Sequence, residues 1–282
     1  MVVAPLTLSS LALATLVVAA LPFVIYRRLR RPLALKPRPA IAGIAVFALF
    51  AMVIERALND YVLHRNEATA TFLSHPLAFV VYGALAAGIC EEVGRFIGMR
   101  LLIKRASARA SATPASAHQT PRTDDGTALA YGLGHGGAEA WLVGVMVQVQ
   151  WILFAVFENR GQLDSYLSNL PTESLMRIHL ILASLTPQTA GIFALERIAA
   201  LVFQIGLSVL MWRGLRAGWR GILPLAIALH ALVDVPAALF QAQLVPLAAV
   251  DAVYALAAVV VVGLLFKTLR RPVADAVTEL PR

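Results

Sequence analysis

The chain has 282 residues, of which 59% are hydrophobic and only 14% charged, with a mean hydropathy of +0.75. A soluble domain carries roughly 25% charged residues. A chain this poor in charge cannot cover its own surface, which excludes a water-soluble enzyme, a disordered regulator and a secreted disulfide scaffold. The net charge of +8 comes from 24 basic against 16 acidic residues, and the single cysteine, Cys90, excludes an internal disulfide or a cysteine metal cage.

A membrane-crossing helix needs about 20 mostly apolar residues. Seven stretches satisfy this, near 3–26, 39–57, 76–99, 128–157, 190–212, 221–240 and 246–266. The first lacks a basic leader region and runs directly into the basic run Arg27–Arg31, so it reads as a retained span and not as a signal peptide. The expected fold is therefore all-α, a polytopic bundle forming a single domain over 1–282. Two connections are long. Segment 105–127, rich in Ala, Ser, Thr and Pro, reads as a flexible linker. In the other, Pro171 and Thr172 open an amphipathic stretch over about 172–186 that suits a helix lying at the membrane interface.

Basic residues set the expected orientation. Loop 27–38 holds six Lys or Arg, 100–127 five, 213–220 three and the tail from Lys267 four, whereas the other side has only Arg56, Arg65, Arg160 and Arg177. By the positive-inside rule the N-terminus lies outside and the C-terminus in the cytoplasm. The positive charge is thus accounted for by topology, and no nucleic-acid partner is expected.

Ionisable groups inside spans are costly and mark functional sites. Here they are Glu91, Glu92 and Arg95 in the third span, His135 and Glu139 in the fourth, Glu196 and Arg197 in the fifth, His230 and Asp234 in the sixth, and Asp251 in the seventh. Helix rise puts Glu91 about 8 Å from the cytoplasmic boundary, Gln204 about 9 Å, His135 about 10 Å and His230 about 13 Å, with Asp234 deeper at about 20 Å. Four spans thus bring polar side chains to one layer. Glu91 and Arg95, and likewise His230 and Asp234, are four apart and share a helix face. Gly132, Gly134, Gly136 and Gly137 bracket His135 and allow close backbone approach or a local break. Such a layer suits hydrolysis by a Glu-activated water with histidine support, or a proton relay in a transporter. A zinc site is a weaker alternative because no HExxH is present. Glu196 and Arg197 are expected to pair with other helices, Ser208 and Cys90 to pack, and His64, His75, His118 and His179 to face solvent or the interface.

The segments CEEVGRFIG, YGLGHGGAEA and LHALVDVPAAL, on successive polar spans, resemble the YhfC family of glutamic-type intramembrane peptidases. That family is related to the CAAX-prenyl-protease and bacteriocin-processing class. The resemblance covers about 76–245. It implies an intramembrane endopeptidase with Glu91 as the general base, Glu92 and Arg95 beside it, His135 as the second-motif histidine with Tyr131 in place of the class phenylalanine, and His230 helping to stabilise the oxyanion. Arg95 stands one residue closer to the glutamates than in the broader class, which leaves Glu91 and Glu92 both open as the base. Asp234 stands where the class often has Asn and is expected to hold His230. Glu139 and Gln204 are supporting candidates. No cofactor is expected, with zinc as the alternative; the expected partners are a membrane-associated peptide and the lipid bilayer.

Overall fold

The computed structural model describes residues 2–111 and 125–269, and among them the regular structure is helical throughout. The spans are α1 (Pro5–Arg30), α2 (Pro37–Arg65), α4 (Pro76–Ser111), α5 (Asp125–Asn159), α8 (Pro187–Arg216), α9 (Ile222–Gln241) and α10 (Leu247–Leu269), and all seven are long and apolar enough to cross a membrane. Three shorter helices, α3 (Glu67–Leu73), α6 (Leu163–Tyr166) and α7 (Thr172–Ser184), connect them. The protein is a multi-pass integral membrane protein. Large apolar residues such as Leu13 and Leu16 on α1 and Leu256 and Val259 on α10 are exposed on the bundle surface, where a bilayer replaces water as the solvent.

Local chemistry sets the helix ends. Pro37 and Pro187 occupy first-turn positions, where the missing N–H costs nothing. Thr186 and Thr189 form a capping box at the start of α8. Arg27, Arg28 and Arg30 close α1 and complement its carbonyl end.

Two boundaries differ from the sequence reading. The second span continues through two π-helical segments, Phe50–Glu55 and Tyr61–Arg65, so Glu55, Arg56 and Arg65 are helical. The expected linker is shorter than 105–127. The run ASARAS has good helix formers and prolongs α4 to Ser111, while α5 begins at Asp125, which Arg213 of α8 grips through Nε at 3.0 Å and Nη2 at 2.6 Å. The rest of that segment lies outside the described residues. The helix expected over about 172–186 is present as α7.

The first half of α5 is the centre of the bundle, with every residue from Gly126 to Ala138 buried. It packs between α2 and α8. Gly134 faces the Ala40 carbonyl of α2, Gly43 of α2 faces the Tyr131 carbonyl, and neither position has room for a Cβ. On the opposite face, a Cβ at Gly136 would lie 2.8 Å from the Gln204 Cβ of α8. The glycines permit close approach on two sides while the helix stays continuous; the local irregularity is a π-helical segment just beyond, at Ala140–Val145. Close packing of this kind substitutes for the hydrophobic effect, which is weak between helices in lipid.

At the end of the bundle where α1 begins, Val3, Phe154, Leu163 and Leu182 form a small apolar cluster. Asn159 closes it by bonding both the N–H and the carbonyl of Val3. His179 on α7 bridges Asp164 Oδ1 at 2.8 Å and Glu158 Oε1 at 3.1 Å, so it is a tie between elements and not a free surface histidine. Asp164 first, and then Glu158, hold its pKa above the ordinary histidine value. The folded state therefore favours the protonated ring. The bridge contributes fully below about pH 6.5 and is lost as pH rises through the raised folded value. Amide exchange in Thr172–Ser184 should accelerate as pH rises through that window beyond the intrinsic rate change, and His179→Gln should abolish the extra dependence. A wild type with no extra dependence would contradict the bridge.

Candidate active site

Arg95 is wholly buried in α4, and its guanidinium meets a partner on every side. Nε faces Glu92 Oε2 at 3.0 Å as an ion pair out of hydrogen-bond alignment. Nη1 donates to the Gln204 carbonyl at 2.8 Å and to Ser208 Oγ at 2.5 Å, and Nη2 donates to Gln204 Oε1. Ser208 is therefore a polar anchor and not packing alone. Its spacing from Gln204, one helical turn, was the available signal.

The adjacent carboxylates diverge. Glu92 points into the protein: Oε2 faces Arg95 and Oε1 meets His230 Nδ1 at 2.8 Å. Glu91 Oε2 takes His135 Nε2 at 3.0 Å and the Gln204 amide Nε2 at 2.9 Å. Among the described residues no hydrogen bond reaches Glu91 Oε1. Glu91 also lines a cavity of about 520 Å³, together with His230, Asp234, Glu139 and Gln204, whereas Glu92 does not reach its wall.

The histidines differ as well. His135 is fully buried, edge-on to Phe47 and stacked on Tyr131, and among the described residues its Nδ1 has no partner. The ring proton therefore belongs on Nε2, facing Glu91, because a buried acceptor without a partner costs less than a buried donor pointed away from a carboxylate. Tyr131 serves this ring by packing; its own hydroxyl is buried and has no hydrogen-bond partner among the described residues. His230 stands between two carboxylates, with Nδ1 on Glu92 and Nε2 3.5 Å from Asp234 Oδ2. Phe203 packs edge-on against it.

The structure thus brings Glu91, Glu92, Arg95, His135, Gln204, His230 and Asp234 together from four spans. Glu139 joins through Gln204 Nε2 at 2.8 Å and lies 3.5 Å from Arg197 Nη1. Glu196 of α8 lies on the cavity wall, near enough to Asp251 of α10 for the two carboxyl groups to interact. Cys90 is buried and outside the cavity wall. The sequence reading missed Glu55, which accepts from Asn59 at 3.4 Å on the cavity wall. Its charge, three turns before a basic residue at Arg65, was masked because the second span appeared to end near residue 57.

A buried carboxylate–histidine constellation on the spans of a helical membrane bundle is the candidate active site. The family model described as YhfC intramembrane metalloprotease matches residues 17–255, and the chain belongs to the YhfC family. It is 35% identical over 230 residues, 81% of this chain and 83% of the relative, to the uncharacterized membrane protein YhfC of Bacillus subtilis strain 168. No solved structure matches.

The family description implies a metal, and the donors can be tested for one. Among the described residues no three His, Cys, Asp or Glu side chains group as a metal site. His135 Nε2 is directed at Glu91, both nitrogens of His230 are directed at carboxylates, and the Arg95 cation sits against Glu92. A divalent ion would have to displace these contacts beside a buried positive charge. The donor set does not fit a metal.

Removing one partner of a buried ion pair leaves the other charge uncompensated, at a cost of about 3–5 kcal/mol. Arg95→Met should lower stability by that amount, read as a loss in the denaturant midpoint of the detergent-solubilised protein. An unchanged midpoint would contradict the buried pairing of Arg95 with Glu92.

Proposed function

We propose that the chain is an intramembrane endopeptidase that hydrolyses a membrane-associated peptide with a water activated by Glu91, without a metal. The observation that carries this reading is the difference between the two carboxylates. Both Glu92 oxygens are engaged inside the protein, while Glu91 keeps Oε1 free at a cavity. Family membership supports proteolysis.

Glu91 Oε1 accepts a proton from water as the water oxygen attacks the peptide carbonyl carbon. His135 and Gln204 hold Oε2 and so aim Oε1 at the cavity. With His230 as the imidazolium, Nδ1–H donates to Glu92 and the loose 3.5 Å contact to Asp234 leaves Nε2–H able to donate to the developing oxyanion. When the tetrahedral intermediate collapses, the C–N bond breaks and the proton on Glu91 passes to the leaving amine. Asp234 orients His230 in this scheme. The arginine-rich loops support placing the site in the cytoplasmic half of the bilayer, with the N-terminus outside. A zinc-dependent version is the second reading, favoured only by the family's description.

Membranes with wild-type, Glu91→Gln or Glu92→Gln protein can be compared by mass-spectrometric mapping of new peptide termini. Glu91→Gln should reduce cleavage by about 10²–10⁴-fold with folding retained. Glu92→Gln should lose thermal stability as well as cleavage. Cleavage by Glu91→Gln at the wild-type rate would overturn the assignment, and pH-gradient-driven flux with no cleaved peptide would indicate a transporter.

A further inference from the structure

The side-chain amide of Gln204 is in contact with three charged groups. Its Oε1 accepts from Arg95, and its Nε2 donates to Glu91 Oε2 at 2.9 Å and to Glu139 Oε2 at 2.8 Å. A guanidinium can only donate and an ionised carboxylate can only accept, so this arrangement permits one amide orientation. Both amide hydrogens are used, and the side chain is buried. The helix geometry is equally constrained. Gly136 of α5 lies against the Gln204 Cβ, and Arg95 also binds the Gln204 backbone carbonyl.

We propose that Gln204 is a positioning residue for hydrolysis. It turns the donor character of Arg95 into a donor aimed at Glu91, fixing Oε2 so that Oε1 faces the cavity, and it separates Glu91 from the nearby carboxylate of Glu139. Arg95 touches Glu92 directly, and its hydrogen-bonded link to Glu91 runs through this amide. Neither function is open to another residue type of the same size. Glutamate keeps the acceptor for Arg95 and loses the donor, while leucine loses both. The proposal rests on Glu91 as the base.

Gln204→Glu isolates the donor, since it preserves size and the Arg95 contact. With a quenched-fluorescent peptide built on the mapped cleavage sequence, the expected result is a fall in kcat of about 10–100-fold with KM unchanged. Adding Glu139→Gln to that variant removes one of three crowded carboxylates and should recover at least part of the lost kcat. A side chain that merely fills space would show neither the kcat-specific loss nor the rescue, and full kcat in Gln204→Glu overturns the proposal. A second arm needs no substrate. The infrared carboxylate band that disappears in Glu91→Gln should shift in Gln204→Leu, because Oε2 loses one of its two donors, and an unmoved band also overturns it. If wild type cleaves no peptide while the band shifts, the peptidase reading fails and the positioning of Glu91 stands.

Discussion

The buried guanidinium of Arg95 is the constraint on which the site depends. A cation inside a membrane protein cannot be left without partners, because its desolvation is repaid only by close and well-directed acceptors. Here those acceptors are Glu92 on its own helix and the side chain and backbone of α8 at Gln204 and Ser208. This requirement fixes α4 against α8, and α5 fits between α8 and α2 because its glycines leave no side chain in the way. His135 then meets Glu91 and His230 meets Glu92.

Two adjacent glutamates consequently acquire different chemistry. Successive helix positions point about 100° apart, so Glu92 turns toward Arg95 and His230 while Glu91 turns toward the cavity. The ion pair and histidine around Glu92 serve to hold the frame. The donors around Glu91 leave one oxygen accessible. Glu139 is held by Gln204 and faces Arg197, which keeps a further carboxylate at the cavity wall beside Glu91.

Much of the fold was legible because a bilayer reduces topology to a nearly one-dimensional pattern of apolar runs. Span number followed from hydropathy and the start of α7 from Pro171 and Thr172, and the spans expected to carry the polar layer do bring Glu91, His135, Gln204 and His230 together. Helix rotation was less legible. The spans are apolar around much of their circumference, so sequence periodicity does not say which face of α8 meets Arg95, and Ser208 read as packing. The pairing of Glu92 with His230 joins residues 138 apart and depends on the same rotations. Glu55 was lost for a different reason: a charged pair at positions 55 and 56 resembles the end of a span, whereas the π-helical turns carry α2 on to Arg65. The bridge at His179 needed the fold of the α6–α7 connection.

The donor geometry bears directly on the metal that the family description implies. At the site, His135 Nε2 and both nitrogens of His230 face carboxylates, and His135 Nδ1 lies beside Phe47 and Tyr131. The most direct measurement is the metal content and peptidase activity of one purified sample, before and after exhaustive treatment with a zinc chelator. Hydrolysis through Glu91 predicts full cleavage with far less than one metal ion per chain. Cleavage that disappears with the metal and returns in proportion to added zinc would contradict it.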